Sequence, residues 1–462
     1  MSDPIHYLGL SLANVRAFSG RQTLDLSKDG KPARWCVIIG ENGVGKTTLL
    51  QALAAMRPVP TVSTPASAFL NEDPVLKKDP AEQQPEQASA PGKEAGPPDA
   101  IAPALADYEN ARIESLVRRG DAMTAGLYVD MVSEQGEAFS FGYDVVTRCG
   151  ELESAEPKLA RRLLSGDGPL VIAYSAFRHA GHGNLSAFEE LDPTEALFDE
   201  EIKLVDPDEV PDRIDYNALL AKRADNAEEQ GRWEGFRDSM LAAIAALIPK
   251  LSPEDLKLEG SGISVRTPSG FAPLAQLSLG AQTTVAWLVD LAWRLRTKFP
   301  DSLDPFRESA IVLVDEVELH LHPVWQRSLR HQLLKHFPRI QFIVSTHSPV
   351  IAQESIAAGD PVSIVRWEGD HAVIKPDPFP AAAVRLDEVM TGAFELETSL
   401  PLRFEALLAE RRDLIQKGDL SPPESDRLTE LSRFAHAVQS GSVSMEADIE
   451  QLMSGAAEDS QG

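Results

Sequence analysis

Cysteine is nearly missing from this sequence. Cys36 and Cys149 are the two among 462 residues, too few for a disulfide framework or for a zinc site of their own, and their scarcity fits a reducing cytoplasm. Both read best as buried apolar residues. No apolar run approaches the ~18 residues needed to cross a bilayer, so no membrane-spanning helix is expected. The opening stretch Met1-Ser2-Asp3-Pro4-Ile5-His6 lacks the basic and apolar regions of a signal peptide. Positive charge is also short. With 44 basic against 71 acidic side chains, the net charge of −27 argues against a protein that coats nucleic acid by bulk electrostatics, while leaving room for a local basic groove.

What is present, 43% apolar and 25% charged residues, is ordinary for a soluble globular protein, and the length suits one large α/β domain with appendages or two or three domains. The most informative stretch is Gly40-Glu41-Asn42-Gly43-Val44-Gly45-Lys46-Thr47, which follows the apolar run Trp35–Ile39 and leads into Leu49, Leu50, Leu53 and Met56. Strand, glycine-rich turn and helix in that order, with the spacing G-x-x-x-x-G-K-[ST], form a phosphate-binding loop. Glycines admit backbone conformations closed to residues with a Cβ, so successive N–H groups can wrap a polyphosphate at the positive end of the helix. The candidate nucleotide contacts are Asn42, Gly43, Gly45, Lys46, Thr47 and Thr48. Lys46 is expected to reach the terminal phosphates of ATP and Thr47 to ligate Mg²⁺.

The second half supplies partners for that loop. Ile311-Val312-Leu313-Val314 is a continuous apolar strand ending in Asp315 and Glu316, an aspartate that can hold Mg²⁺ through water and a glutamate that can deprotonate an attacking water. Phe342-Ile343-Val344-Ser345-Thr346 is another such strand, ending in His347. Ligands of open parallel sheets sit beyond the carboxyl ends of the strands, so Lys46, Asp315 with Glu316, and His347 are expected at one edge.

Leu277-Ser278-Leu279-Gly280-Ala281-Gln282, ahead of a helix expected over 283–296, resembles the LSxGxQ signature of ABC-type ATPases. The order phosphate loop, LSLGAQ, VLVDE, HLHP, STHSP resembles the SMC/RecF/OLD-like branch of that superfamily. The run from Asp315 to Pro323 and the tract Tyr174-Ser175-Ala176-Phe177-Arg178 are similar to those of the standalone AAA family ATPases of prokaryotic defence operons, of the Septu PtuA-like kind. The resemblance covers roughly 5–56 and 232–375. It implies an α/β ABC-type head with a mixed sheet core, an antiparallel β subdomain, a helical signature subdomain and a helical C-terminal hairpin. It also implies that Arg16 contacts the nucleotide, that Ser278 and Gly280 close on the γ-phosphate of a second protomer, and that His347 senses that phosphate. The implied activity is ATP hydrolysis by a homodimer or higher oligomer that controls a separate effector subunit such as a nuclease; the alternative is a RecF/SMC-like repair head that binds DNA itself. No long heptad segment separates the halves, and no acidic motifs of a two-metal nuclease follow His347.

The remaining chain is read in five parts. Residues 1–56 carry the phosphate loop and two antiparallel strands; 57–105, rich in proline with few aromatics, has the composition of a disordered insertion. Residues 106–231 hold a helix over 108–117, a β hairpin, a buried strand at 170–174 and an irregular acidic stretch whose carboxylates read as a solvated face. The ATPase core resumes over 232–380, where His320 and His322 suggest an interface loop more than a metal pair. A helical tail occupies 381–462, with a capping box at Ser421-Pro422-Pro423-Glu424.

Overall fold

The computed structural model describes residues 4–58, 112–113, 115–117, 125–144, 149–154, 168–181, 185, 191–248, 250–259, 262–379, 384–394, 402–417 and 420–440. Most of the proline-rich insertion and half of the helix expected over 108–117 therefore lie outside the described residues. The chain divides into two compact units, Met1–Val389 and Met390–Gly462.

The first unit is built on strands β1 (Ile5–Val15), β2 (Phe18–Asp25), β5 (Trp35–Gly40), β6 (Gly126–Ser133), β7 (Ala138–Asp144), β8 (Cys149–Ser154), β9 (Val171–Tyr174), β13 (Ala310–Val314), β14 (Ile340–Thr346), β15 (Val362–Glu368) and β16 (His371–Pro376). They form one sheet in the order β8-β7-β6-β1-β2-β16-β15-β5-β14-β13-β9. The expected antiparallel region is thus continuous with the core sheet, because β6 pairs along β1 from Ile5↔Ser133 to Ala13↔Gly126. The hairpin turns at Gly136, whose positive φ of 90° suits a residue without a Cβ. Several strands went unforeseen: β8, the hairpin of β15 and β16, and a separate small sheet of β10 (Leu256–Glu259), β11 (Gly262–Thr267) and β12 (Gly270–Pro273). The ribbon β3 (Ser27–Lys28) and β4 (Lys31–Pro32) completes the set.

Strands β15, β5, β14, β13 and β9 run parallel in that order. Their apolar runs are continuous because both faces are covered. Cys36, Ile38, Ile311, Leu313, Ile343, Val171 and Ala173 point to the cluster containing helix α1 (Lys46–Ala55). The opposite face carries aromatics. Phe337 stacks on Phe306 at 5.0 Å and meets Phe342 edge-on, and Trp35 donates its indole N–H to Ser355 at 3.0 Å.

Helices α2 (Glu209–Arg223), α3 (Ala227–Leu247), α4 (Leu279–Lys298), α5 (Pro323–His336) and α6 (Pro349–Ala357) complete the body of the unit. The acidic stretch is less irregular than its composition suggested, since α2 occupies fifteen of its residues with Val210, Pro211, Ile214 and Ala221 buried. Asp199, Glu200 and Glu201 are exposed, as a solvated face requires. On α5, His331 is exposed, whereas His336 at its end is half-buried. Among the described residues no helix is long and apolar enough to cross a membrane.

Helix α7 (Leu386–Gly392) spans the boundary between the units, and the second unit contains α8 (Leu402–Lys417) and α9 (Pro422–Ser440). The Ser421 N–H and hydroxyl both donate to Glu424, at 2.8 and 2.7 Å, and Arg427 forks onto Glu410, joining the two helices. The expected hairpin is present.

Phe337 has no exposed surface and joins two aromatic neighbours, so Phe337→Ala should lower stability by about 3–5 kcal/mol. Urea unfolding followed by tryptophan fluorescence checks this through the midpoint, with the slope unchanged.

Candidate functional site

The parallel register delivers three loops to one edge. Val314 stands opposite Val344 and Thr346 opposite Ile39, so the chain leaves β5, β13 and β14 side by side at their carboxyl ends. The turn after β5 depends on two glycines. A Cβ on Gly40 (φ 157°) would come within 2.2 Å of the Val365 carbonyl oxygen, and one on Gly45 (φ 113°) within 2.8 Å of the Phe18 ring. Gly45 then opens α1 with no side-chain cap and no acid in the first turn. Helices α3, α4, α5 and α6 instead have their first N–H groups taken by Asn226, Ser278, His322 and Ser348. The uncapped end of α1 keeps its donors and its partial positive charge for an anion.

Lys46 is buried, and its ammonium lies 3.0 Å from the Gly40 carbonyl, 2.9 Å from that of Glu41 and 2.7 Å from His347 Nε2. Burial pulls its pKa down, opposed by Asp315, Glu316 and Glu318. The Thr47 hydroxyl donates to Asp315 Oδ2 at 2.6 Å, joining residues 268 positions apart. Ser345 donates its hydroxyl to the other oxygen of Asp315 and receives the Glu316 N–H at 2.8 Å. Both oxygens of Asp315 are therefore held. Glu318 is held as well, by the Thr346 hydroxyl at 2.6 Å and by the His347 N–H.

Glu316 differs. Its half-buried carboxylate has no hydrogen-bond partner among the described residues, while its backbone sits in the left-handed region at φ 44°. A non-glycine residue there costs ~1–3 kcal/mol and is kept only where its surroundings enforce it. An acid at the end of a buried strand with a free carboxylate is available to a water molecule.

The sequence-selected residues divide into those brought together and those placed apart. Lys46, Thr47, Asp315, Glu316 and His347 converge. Asn42 and Gly43 are exposed in the loop, and Thr48 is buried one residue beyond Thr47. Arg16, at φ 43° in the turn between β1 and β2, donates to the Gln51 side chain of α1 at 2.7 Å, and Gln51 donates to the Leu197 carbonyl at 3.0 Å. Ser278 and Gly280 lie apart from these at the start of α4, where Ser278 caps the helix and is exposed. Gly280 is buried against the HLHP loop, because a Cβ there would stand 2.1 Å from the His320 carbonyl oxygen. His322 accepts from the Val324 N–H at 3.3 Å, and among the described residues no group of three or more His, Cys, Asp or Glu could hold a metal by itself.

Sequence reasoning gave Arg178 and Ser345 no role beyond their motifs and read Glu318 only as part of the interface loop with His320 and His322. Arg178 ends the Tyr174–Arg178 tract; buried, it donates from Nη1 to the Ser175 carbonyl at 3.1 Å and to that of Asp315, and from Nη2 to that of Glu316 at 2.8 Å. Burial pulls its pKa down to about 10, so it stays charged at neutral pH. A cation directly after an apolar strand was the available signal.

Residues 175–352 match the domain family described as "AAA domain, putative AbiEii toxin, Type IV TA system". The chain is 39% identical over 113 residues to the retron Ec83 probable ATPase of Escherichia coli, covering 24% of this chain and 20% of that protein. It is 47% identical over 75 residues to the retron Vc95 probable ATPase of Vibrio cholerae serotype O1 biovar El Tor, covering 16% and 15%. Septu protein PtuA of Bacillus thuringiensis is 24% identical over 171 residues, 36% of this chain and 43% of that protein. The chain thus spans a fifth or less of the two retron ATPases' length. Among solved structures, the SMC head domain from Thermotoga maritima aligns with 81% of this chain and 100% of its own at 15% identity, with a TM-score of 0.41. The motif resemblance drawn from the sequence is met: residues 175–352 match an AAA-domain family, and the chain is similar to retron and Septu PtuA ATPases.

The site's pH response follows from His347. Burial first, then Lys46, lowers its pKa below the ordinary 6.5. The folded protein then binds that proton less readily than the unfolded chain, so its contribution is complete above the ordinary histidine range and is lost as pH falls through it. Between about pH 8 and about pH 5.5 the wild-type thermal midpoint should fall further than that of His347→Gln, with the half-buried His336, also lowered, present in both. Differential scanning fluorimetry across that range checks this.

Proposed function

We propose that this chain binds ATP with Mg²⁺ at the edge of β5, β13 and β14 and hydrolyses it. The reading is carried by one observation: Lys46 and Thr47 of the phosphate loop meet His347 and Asp315 directly, while Glu316 beside them keeps a free carboxylate. Lys46 exchanges its carbonyl contacts for the terminal phosphates, and the uncapped end of α1 receives their oxygens. Glu316 takes the proton of the attacking water, and neutral His347 hydrogen-bonds the γ-phosphate.

The residues present fit a magnesium ion. Thr47 and Asp315 offer two hard oxygen donors already 2.6 Å apart, the small protein share that Mg²⁺ takes when phosphates and waters supply the rest. When bound, the ion supplies charge neutralisation between the phosphates and the surrounding Asp315, Glu316 and Glu318 carboxylates.

We further propose that two copies close head to tail around two nucleotides, and that closure licenses a separate effector subunit, a nuclease in an anti-phage system. Similarity to retron and Septu PtuA ATPases supports the setting. The exposed start of α4 supports the closure: Leu279 is 54% exposed and Ser278 lies beside it. Gly280 contributes by letting that first turn pack on His320, so a substitution there tests packing within one chain as much as closure between two. Arg16, held by Gln51 near the loop, is assigned to the nucleotide.

Glu316→Gln keeps the shape and removes the base. ATP binding should persist while phosphate release falls on the order of 10²-fold or more; unchanged turnover in the purified variant sinks the assignment. Leu279→Asp leaves the hydrolytic residues untouched and places a charge on the exposed start of α4. ATP-dependent doubling of mass in light scattering should disappear with nucleotide affinity retained, and an undiminished doubling would show that this helix start is not the closing surface.

A further inference from the structure

The left-handed backbone at Glu316 is locked from outside the strand that carries it. The peptide before its α-carbon is held at both ends, by Arg178 Nη1 on the Asp315 carbonyl and by Ser345 Oγ on the Glu316 N–H. The peptide after it is held likewise, by Arg178 Nη2 on the Glu316 carbonyl at 2.8 Å and by the Ser345 carbonyl on the Val317 N–H at 3.0 Å. Fixing both flanking peptide planes fixes φ and ψ. Arg178 supplies two of these four ties with one planar fork.

Its choice of acceptors is informative. A buried arginine beside Asp315, Glu316 and Glu318 would gain more charge-assisted bonding from a carboxylate than from carbonyls. Such a pair would occupy an oxygen that the metal or the water needs. Arg178 instead donates to main-chain oxygens only, and its Nε–H finds no acceptor among the described residues. The segment that presents it is itself anchored. Tyr174 donates its hydroxyl to buried Asp290 of α4 at 2.7 Å, and Asp290 also receives Arg294 at 2.8 Å and the Val205 N–H at 3.1 Å. The Asp315 N–H in turn donates to the Tyr174 carbonyl at 2.9 Å, keeping β9 and β13 in register up to the clamp.

We propose that Arg178 is a positioning residue for hydrolysis: by clamping the carbonyls of Asp315 and Glu316 it enforces the left-handed turn that aims the Glu316 carboxylate at the attacking water. The role rests on the reading of Glu316 as the base. Lysine cannot replace the fork, because one ammonium on a flexible stem does not hold two carbonyls in a fixed plane.

Two variants test it, Arg178→Met, which keeps length without donors, and Arg178→Lys, which keeps the charge and remains informative should the methionine variant fail to fold. The readouts are kcat and KM for ATP, affinity for a fluorescent ATP analogue, and turnover of each variant combined with Glu316→Gln. Nucleotide affinity should be unchanged, because Lys46 and Thr47 are untouched. The kcat of Arg178→Met should fall about 10²-fold, that of Arg178→Lys by less, and neither should reduce turnover further in the Glu316→Gln background. A folded variant with wild-type kcat overturns the role while Glu316→Gln remains impaired. An additive loss in the double variant also overturns it, since Arg178 would then act independently of Glu316. If Glu316→Gln itself turns over normally, the assignment of the base fails first and the positioning role falls with it.

Discussion

The parallel pairing of β5 with β14 and of β14 with β13 is the constraint on which the site depends. Lys46 and Asp315 are far apart in sequence, and neither has any intrinsic reason to approach the other. The ladder removes the choice. Once Trp35–Ile39 lies beside Phe342–Thr346 in register, and Val314 beside Val344, the three strand ends open on one edge. The faces of those strands explain why the register is firm: alternate residues enter the cluster around α1 on one side and the aromatic cluster of Trp35, Phe337 and Phe342 on the other. A slip of one residue would exchange the two sets, placing Cys36 and Ile38 where Trp35 and Val37 belong.

At that edge, charge and geometry are separated. Asp315 and Glu318 have both oxygens engaged and so act as fixed points, while Glu316 is fixed through its backbone and leaves its carboxylate free. Lys46 and Arg178 balance part of the negative charge, each buried, each donating to main-chain carbonyls. Three carboxylates against two cations leave an excess that a divalent ion can offset, which gives Mg²⁺ an electrostatic reason to accompany the nucleotide.

Much of this was legible in the sequence because local patterns encode it. The glycine spacing marks the turn after β5, continuous apolar runs mark strands covered on both faces, and acids or a histidine directly after such runs mark the sheet edge. What escaped has a physical explanation. The pairing β1 with β6 is set by contacts between distant segments, so a hairpin that looked separate joined the main sheet. Strand β8 and the small sheet β10-β11-β12 are short and weakly apolar, and pairing with neighbours rather than composition makes them strands. The helix α2 was hidden by its acids, although Val210, Ile214 and Ala221 keep a buried face at helical spacing. Arg178 and Ser345 stood inside motifs without a legible role, because what they hold, the carbonyls of Asp315 and Glu316 and the Glu316 N–H with one Asp315 oxygen, is set by tertiary contact. Gly280 was read through its motif, and the structure adds a use within the chain, the close approach of His320.

We propose that the phosphate loop and the two facing strand ends form one ATP site. Its most direct test is the affinity and turnover of Lys46→Ala measured beside the wild type, with nucleotide binding by calorimetry and phosphate release with and without Mg²⁺. The wild type should bind ATP and release phosphate only with Mg²⁺, and Lys46→Ala should lose both. Equal binding and equal phosphate release in the two proteins would contradict it.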